Sequence, residues 1–233
     1  MKRKILIGVL IGVCAALCPA RSWAGGGDDL AYWSQYTVLL HDGEHVDLNL
    51  FFDFRFDDNI GENDLSLASI QAKYDFIKNL SFGTNYTYIL DRKFNSSAGK
   101  SEYLDQHRLE LEANPYYKIG DWLKFDNRNR VEFRWIENNG SYNTRSRHRV
   151  RLTFPLVKDL LPKQDGIYMD SEFFYNYAEH SYDENRSVPL GIKFNLSEQL
   201  GLSLFYMVRS QKSVSTGEWS TSHVLGTNFS IKF

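Results

Sequence analysis

Ionisable residues recur at every second position through the middle of the chain. Arg108, Glu110 and Glu112 form one row, and Lys124, Asp126, Arg128, Arg130, Glu132 and Arg134 form a second. Arg147, Arg149 and Arg151 make a third, and Asp170 and Glu172 a fourth, giving eight bases and six acids in all. A guanidinium presents a planar fork of donors that matches a carboxylate or a phosphate, so two kinds of chemistry are open to these rows. They can form a basic constriction that selects small anions, as rings of Arg or Lys do in anion pores. They can instead neutralise one another as Arg–Glu pairs between neighbouring strands, which stiffens a structure and leaves little for a solute.

Covalent catalysis would need a nucleophile beside a base, usually a histidine oriented by a third group. The six histidines offer no such arrangement: His41 and His45 flank a tight turn, and His107, His148 and His223 fall out of phase with the charged rows. His180 has Ser181 and Asp183 close by in "EHSYDEN", which reads as a solvated loop. Neither metal-ligand spacing nor a phosphate-binding loop is present. No catalytic residue, metal or cofactor is therefore assigned, and an enzyme acting on lipid or peptide stands as an alternative class.

The spacing of the rows says what holds them. Successive side chains of a β-strand point to opposite faces, so a row with period two is one face of a strand. In "VDLNLFFDFRF", Val46 to Phe56, the apolar residues Val46, Leu48, Leu50, Phe52, Phe54 and Phe56 share one face, while Asp47, Asn49, Asp53 and Arg55 lie on the other. A soluble sandwich or lipocalin-like barrel would turn the apolar face to a core. An outer-membrane barrel would turn it to lipid and the polar face to a lumen. The charged rows favour the second, because ionised side chains at that density need water or partners and a dry core supplies neither. Leu109, Leu111, Phe125, Val131, Phe133, Val150, Leu152 and Phe154 then face lipid.

Period-two runs predict eleven strands, over 30–40, 45–56, 66–76, 80–90, 105–117, 122–135, 146–156, 166–176, 186–195, 201–211 and 223–233. Their links alternate between tight ones, such as "HDGE", "IKN", "KIGD" and "LSEQ", and longer polar ones. Short periplasmic turns and longer extracellular loops give outer-membrane barrels this rhythm; "VKDLLPKQD" at 157–165 breaks it. Tyr and Trp near strand ends, among them Tyr32, Trp33, Tyr86, Tyr88, Tyr117, Trp122, Trp135 and Tyr206, suit the membrane–water boundary.

The N-terminus reads as a secretory signal peptide over 1–24, with Lys2, Arg3 and Lys4 before an apolar run and Ser22-Trp23-Ala24 at the cleavage site. Cys14 and Cys18 lie inside it, so the mature chain, 25–233, forms no disulfide. Removing Lys2, Arg3, Lys4 and Arg21 from the 27 bases leaves 23 against 29 acids, a net charge of −6 that gives no footprint for nucleic acid. At the other end Phe229, Ile231 and Phe233 alternate up to the terminus. This resembles the assembly signal of Gram-negative outer-membrane proteins, and the resemblance implies the barrel-assembly machinery as a partner.

A closed antiparallel barrel with both ends in the periplasm needs an even strand count. Ten to twelve strands are expected, with twelve favoured over the eleven runs counted. "RNRVEFRW" at 128–135, "RSRHRVRLTFPL" at 145–156, "SVPLGIKFNLSEQLGLSLFYM" at 187–207 and "AYWSQYTVLL" near the start resemble a family of uncharacterised bacterial outer-membrane barrels, known only as a domain of unknown function. The family implies fold and location but no activity. In size and basic lumen the chain also looks like the small porins for acidic oligosaccharides. The expected protein is a single all-β transmembrane barrel in contact with outer-membrane lipid and lipopolysaccharide, structural or narrow-channel, passing small anionic solutes if open. A soluble periplasmic lipocalin-like barrel is the alternative fold reading.

Overall fold

Strands whose two faces differ in polarity are stable only if each face meets its own medium, and closing the sheet on itself gives every strand the same two sides. The computed structural model describes residues 30–57, 60–95, 99–137, 142–155, 164–213 and 216–232. The signal-peptide reading of 1–24, Phe233 and most of the 157–165 link lie outside the described residues.

Eleven strands are found among the described residues: β1 (Leu30–Asp42), β2 (Val46–Asp57), β3 (Glu62–Ile77), β4 (Leu80–Asn95), β5 (Lys100–Ile119), β6 (Leu123–Ile136), β7 (Tyr142–Pro155), β8 (Gln164–Asn176), β9 (Ser181–Asn195), β10 (Leu200–Lys212) and β11 (Trp219–Lys232). They close into one barrel in chain order. The favoured count of twelve is corrected to eleven. The barrel closes on an odd number because β1 and β11 run parallel, with Leu30 opposite His223 and Leu39 opposite Lys232. Every other neighbouring pair is antiparallel.

The strands outrun their apolar patterns at the long-loop end. β5 begins at Lys100 rather than 105, β9 at Ser181 rather than 186, and β11 at Trp219 rather than 223. The hairpins continue there on polar residues such as Ser181, Asp183 and Asn185, which carry hydrogen-bonded backbone but no apolar signal.

Apolar side chains cover the outside. Ile70, Phe82, Leu109, Leu111, Val150, Leu190, Leu204 and Leu225 are all exposed. Aromatics ring both ends: Tyr74, Phe76, Tyr117 and Trp122 lie exposed near the short turns, and Tyr103, Trp135, Tyr142 and Trp219 near the long loops. Trp33, expected among the boundary aromatics, instead points inward and is 3% exposed. It joins Ala31, Tyr168, Val188, Met207 and Val224 in an apolar cluster inside the barrel, on the side of β8, β9, β10, β11 and β1. Two inward glycines make room for rings there. A Cβ on Gly191 would stand 2.2 Å from Tyr168 Cζ, and one on Gly226 would stand 2.0 Å from Phe205 Cζ.

Candidate functional site

The strands β5 to β8 deliver the four charged rows to the interior. In-register pairing puts Glu112 beside Arg130, Arg108 beside Arg134, Arg128 beside Arg149, Arg130 beside Arg147, and Arg149 beside Glu172. Like charges face each other in several rungs, so diagonal pairs form beside the in-register ones, Glu112–Arg130, Glu132–Arg145 and Arg151–Asp170.

Glu132, 0% exposed, sits at the centre. It accepts from Arg145 Nε at 2.9 Å and from Arg147 Nη1 at 2.7 Å, with Arg108 Nη1 at 3.9 Å. Arg147 reaches on to Glu172, donating from Nη2 at 2.9 Å, and Arg128 Nη2 donates to the same carboxylate at 2.7 Å. Arg130 joins the two acids of β5: its Nη1 lies 2.7 Å from Glu110 and its Nε donates to Glu112 at 2.6 Å. Asn85 of β4 donates to both of these acids. Arg151 donates to Asp170 at 2.7 Å. Lys124 and Asp126, nearer the short turns, pair with each other at 2.7 Å. Buried charges are tolerable only when paired and hydrogen-bonded in this manner.

The sequence rows left out residues that the network uses. Arg145 bridges Glu132 to Glu184, and Glu184 also binds Arg186 Nη2 at 2.7 Å and Arg209 Nε at 2.8 Å. Arg55 pairs with Asp53 at 2.7 Å. Aromatic faces stack between the guanidinium groups: Phe174 meets Arg145, Arg147 and Arg186 at 4.7, 4.6 and 4.6 Å. Trp33 meets Arg55 at 3.9 Å and Arg186 at 4.9 Å. Such contacts are favourable where water is excluded. Period two would have found Glu184 and Arg186, had the strand been begun at Ser181.

Two arginines stay outside this pairing. Neither Arg149 nor Arg134 forms an ion pair within 4 Å of a described carboxylate, and the Nε of each has no hydrogen-bond partner there. Both line an interior cavity of about 740 Å³. Across the bore, Asn49, Ser69, Gln71 and Thr87 of β2, β3 and β4 give the wall neutral polar groups, beside charged residues of the same strands such as Asp53, Arg55, Asp64 and Lys73. The arrangement can hold an anion by charge on one side while hydrogen-bonding it from the other.

At the C-terminal strand, Phe229 stacks on Tyr36 across the parallel seam with ring centroids 5.6 Å apart, and Ile231 is the register partner of Val38. Both lie on the outer face. Phe233, the third residue of the expected assembly signal, lies outside the described residues.

No curated protein matches this chain. A family model described as a protein of unknown function, DUF2490, matches residues 30–220, from the first strand into the last, and the chain belongs to that family.

Proposed function

We propose that this protein is an integral outer-membrane β-barrel whose lumen is a narrow, anion-preferring passage. The observation that carries the reading is the pair of arginines, Arg134 and Arg149, that have no carboxylate partner among the described residues and stand beside a cavity of about 740 Å³, in a wall where the other arginines are matched to carboxylates. What supports the membrane location is the direction of the two faces: apolar residues cover the outside, aromatics ring both ends, and charge fills the interior. A lipocalin-like barrel would have its faces the other way round.

A second reading has its own support. Glu132, Glu172 and Glu184 bind arginines of five strands, β5, β6, β7, β9 and β10, so most of the charge is spent on cross-linking. On that reading the lumen is a strut and the barrel is structural. Neither reading gives the protein a catalytic role.

Single-channel recording of the refolded protein in planar bilayers separates the two. The passage reading expects small current steps with anion preference. The strut reading expects none. A large, cation-selective pore overturns both.

A further inference from the structure

The outer face of a membrane barrel should be apolar at mid-height, where a charged residue costs most and lipid offers no hydrogen bonds. On most strands it is: Leu50 and Phe52, Ile70, Leu109 and Leu111, and Leu204 stand near the middles of their strands. On β6 and β7 it is not. Asn129 and His148 occupy the middles of these two strands and are register partners, and Asn127 lies one outward position from Asn129. Ser171 continues the belt on β8 and Ser187 on β9, as register partners 3.2 Å apart through their hydroxyls. Phe133 and Trp135 bound the belt on one side, Phe125 and Leu152 on the other.

The hydrogen bonds inside the belt define what it still needs. Asn129 Nδ2 donates to Asn127 Oδ1 at 2.7 Å and to the Ala113 carbonyl at 3.3 Å, which fixes the orientation of its amide. Its Oδ1 is then the acceptor at 2.9 Å from His148 Nδ1, so that nitrogen carries the proton. Two groups remain without a bond to a described residue: the Asn127 amide N–H, a donor, and His148 Nε2, an acceptor on an exposed side chain. An acyl chain can serve neither. A second copy of the same surface serves both, because a two-fold interface brings residue i to residue j and j to i.

We propose that two copies of this chain associate in the membrane through the outer face of β6–β8, each copy's Asn127 amide and His148 imidazole serving the other's. Ser146, Ser171 and Ser187 are small and none of them is exposed, so they do not project around these two side chains, and small residues are what let membrane-embedded surfaces approach closely. The proposal rests on the membrane location proposed above.

The test uses the full mature chain, refolded into detergent micelles and into lipid bilayers, with thiols placed on a background that lacks cysteine beyond the signal segment. Val150→Cys, beside Asn127 in register, is expected to give a disulfide-linked dimer on mild oxidation, while Leu50→Cys on β2 gives at least tenfold less. Adding Asn127→Leu and His148→Leu should reduce linking at position 150 by tenfold or more while leaving the heat-modifiable gel shift of a folded barrel. Analytical ultracentrifugation of the unaltered protein should return the mass of two chains. A monomer mass for a detergent-requiring protein, or equal linking at positions 50 and 150, overturns the dimer alone. Recovery as a soluble protein without detergent overturns the dimer together with the membrane reading.

Discussion

Arg149 stands directly opposite Glu172 across the β7–β8 ladder, yet Glu172 gives its oxygens to Arg147 and Arg128 instead. The acid nearest in register is thus already committed when Arg149 is reached, and its guanidinium is left facing the cavity. One rung earlier the same strand places Arg147 between two carboxylates. Neighbouring arginines on one face therefore have opposite duties.

Arg147→Gln removes a partner from both Glu132 and Glu172. Breaking a buried pair from one side costs about 3–5 kcal/mol when the remaining charge has no other partner; here Glu132 keeps Arg145 and Glu172 keeps Arg128, so a loss of about 2–3 kcal/mol is expected. Arg149→Gln leaves no carboxylate stranded and should change stability by less than about 1 kcal/mol on the same scale of effects. Urea unfolding in lipid should show this split, and reversal potentials should show the opposite one, with anion preference falling for Arg149→Gln. Equal loss of stability in both variants would mean that Arg149 is also a strut.

Face assignment is tested from outside. Arg in place of Leu50, Leu111 or Leu152 should cost roughly 2–4 kcal/mol if these residues meet lipid near the midplane. Asn in place of the inward Asp47 or Asp126 should be far better tolerated. Similar penalties on the two faces would contradict the assignment.

The inward glycines make a packing prediction. Gly226→Ala puts a methyl where the Phe205 ring lies, 2.0 Å from Cζ, so the ring must leave the apolar cluster beside Trp33 and Met207. Overpacking of this kind costs typically 1–3 kcal/mol. Shortening the ring in Phe205→Leu should recover part of the loss, and a double-mutant cycle in urea measures that coupling. Additive effects would show that ring and glycine are independent.

Deleting Phe233 tests the assembly signal. The shortened chain should be synthesised and exported normally but insert slowly and be degraded in the periplasm. Unchanged amounts in the outer membrane would make the terminal aromatic incidental.

Much of this architecture was legible because period two is a property of the strand itself. All eleven runs became strands, and the alternation in Val46 to Phe56 set both faces before any neighbour was known. Strand ends were less legible. At Ser181–Asn185 the sequence is polar on both faces, so backbone pairing extends the hairpin where no apolar signal marks it. Arg145, Glu184 and Arg209 were missed in the site for that reason or because they stand alone in their strands. Trp33 misled because an aromatic at a strand end suits a boundary equally well as an interior cluster, and only the phase set by β2, with Trp33 opposite Arg55, decides between them. The parity of the barrel was hidden as well, since nothing local to β1 or β11 announces a parallel partner at the far end of the chain.

That partner sets the order in which the molecule can form. Lys232 of the last strand pairs with Asp42 of the first, and Tyr32 shares a hydrogen bond of 2.8 Å with Thr227, a separation of 195 residues. Ten hairpin contacts can zip from neighbour to neighbour over short loops, but the seam must bring together the two extremes of the polypeptide. The entropy of so large a loop grows only slowly with its length, and what delays the seam is that every intervening strand must be laid down first. Until then both β1 and β11 present bare edges, the kind of surface that recruits other chains. A sheet of this topology has no safe half-finished form, and so it is the pairing of β11 with β1 that ends the period of greatest exposure.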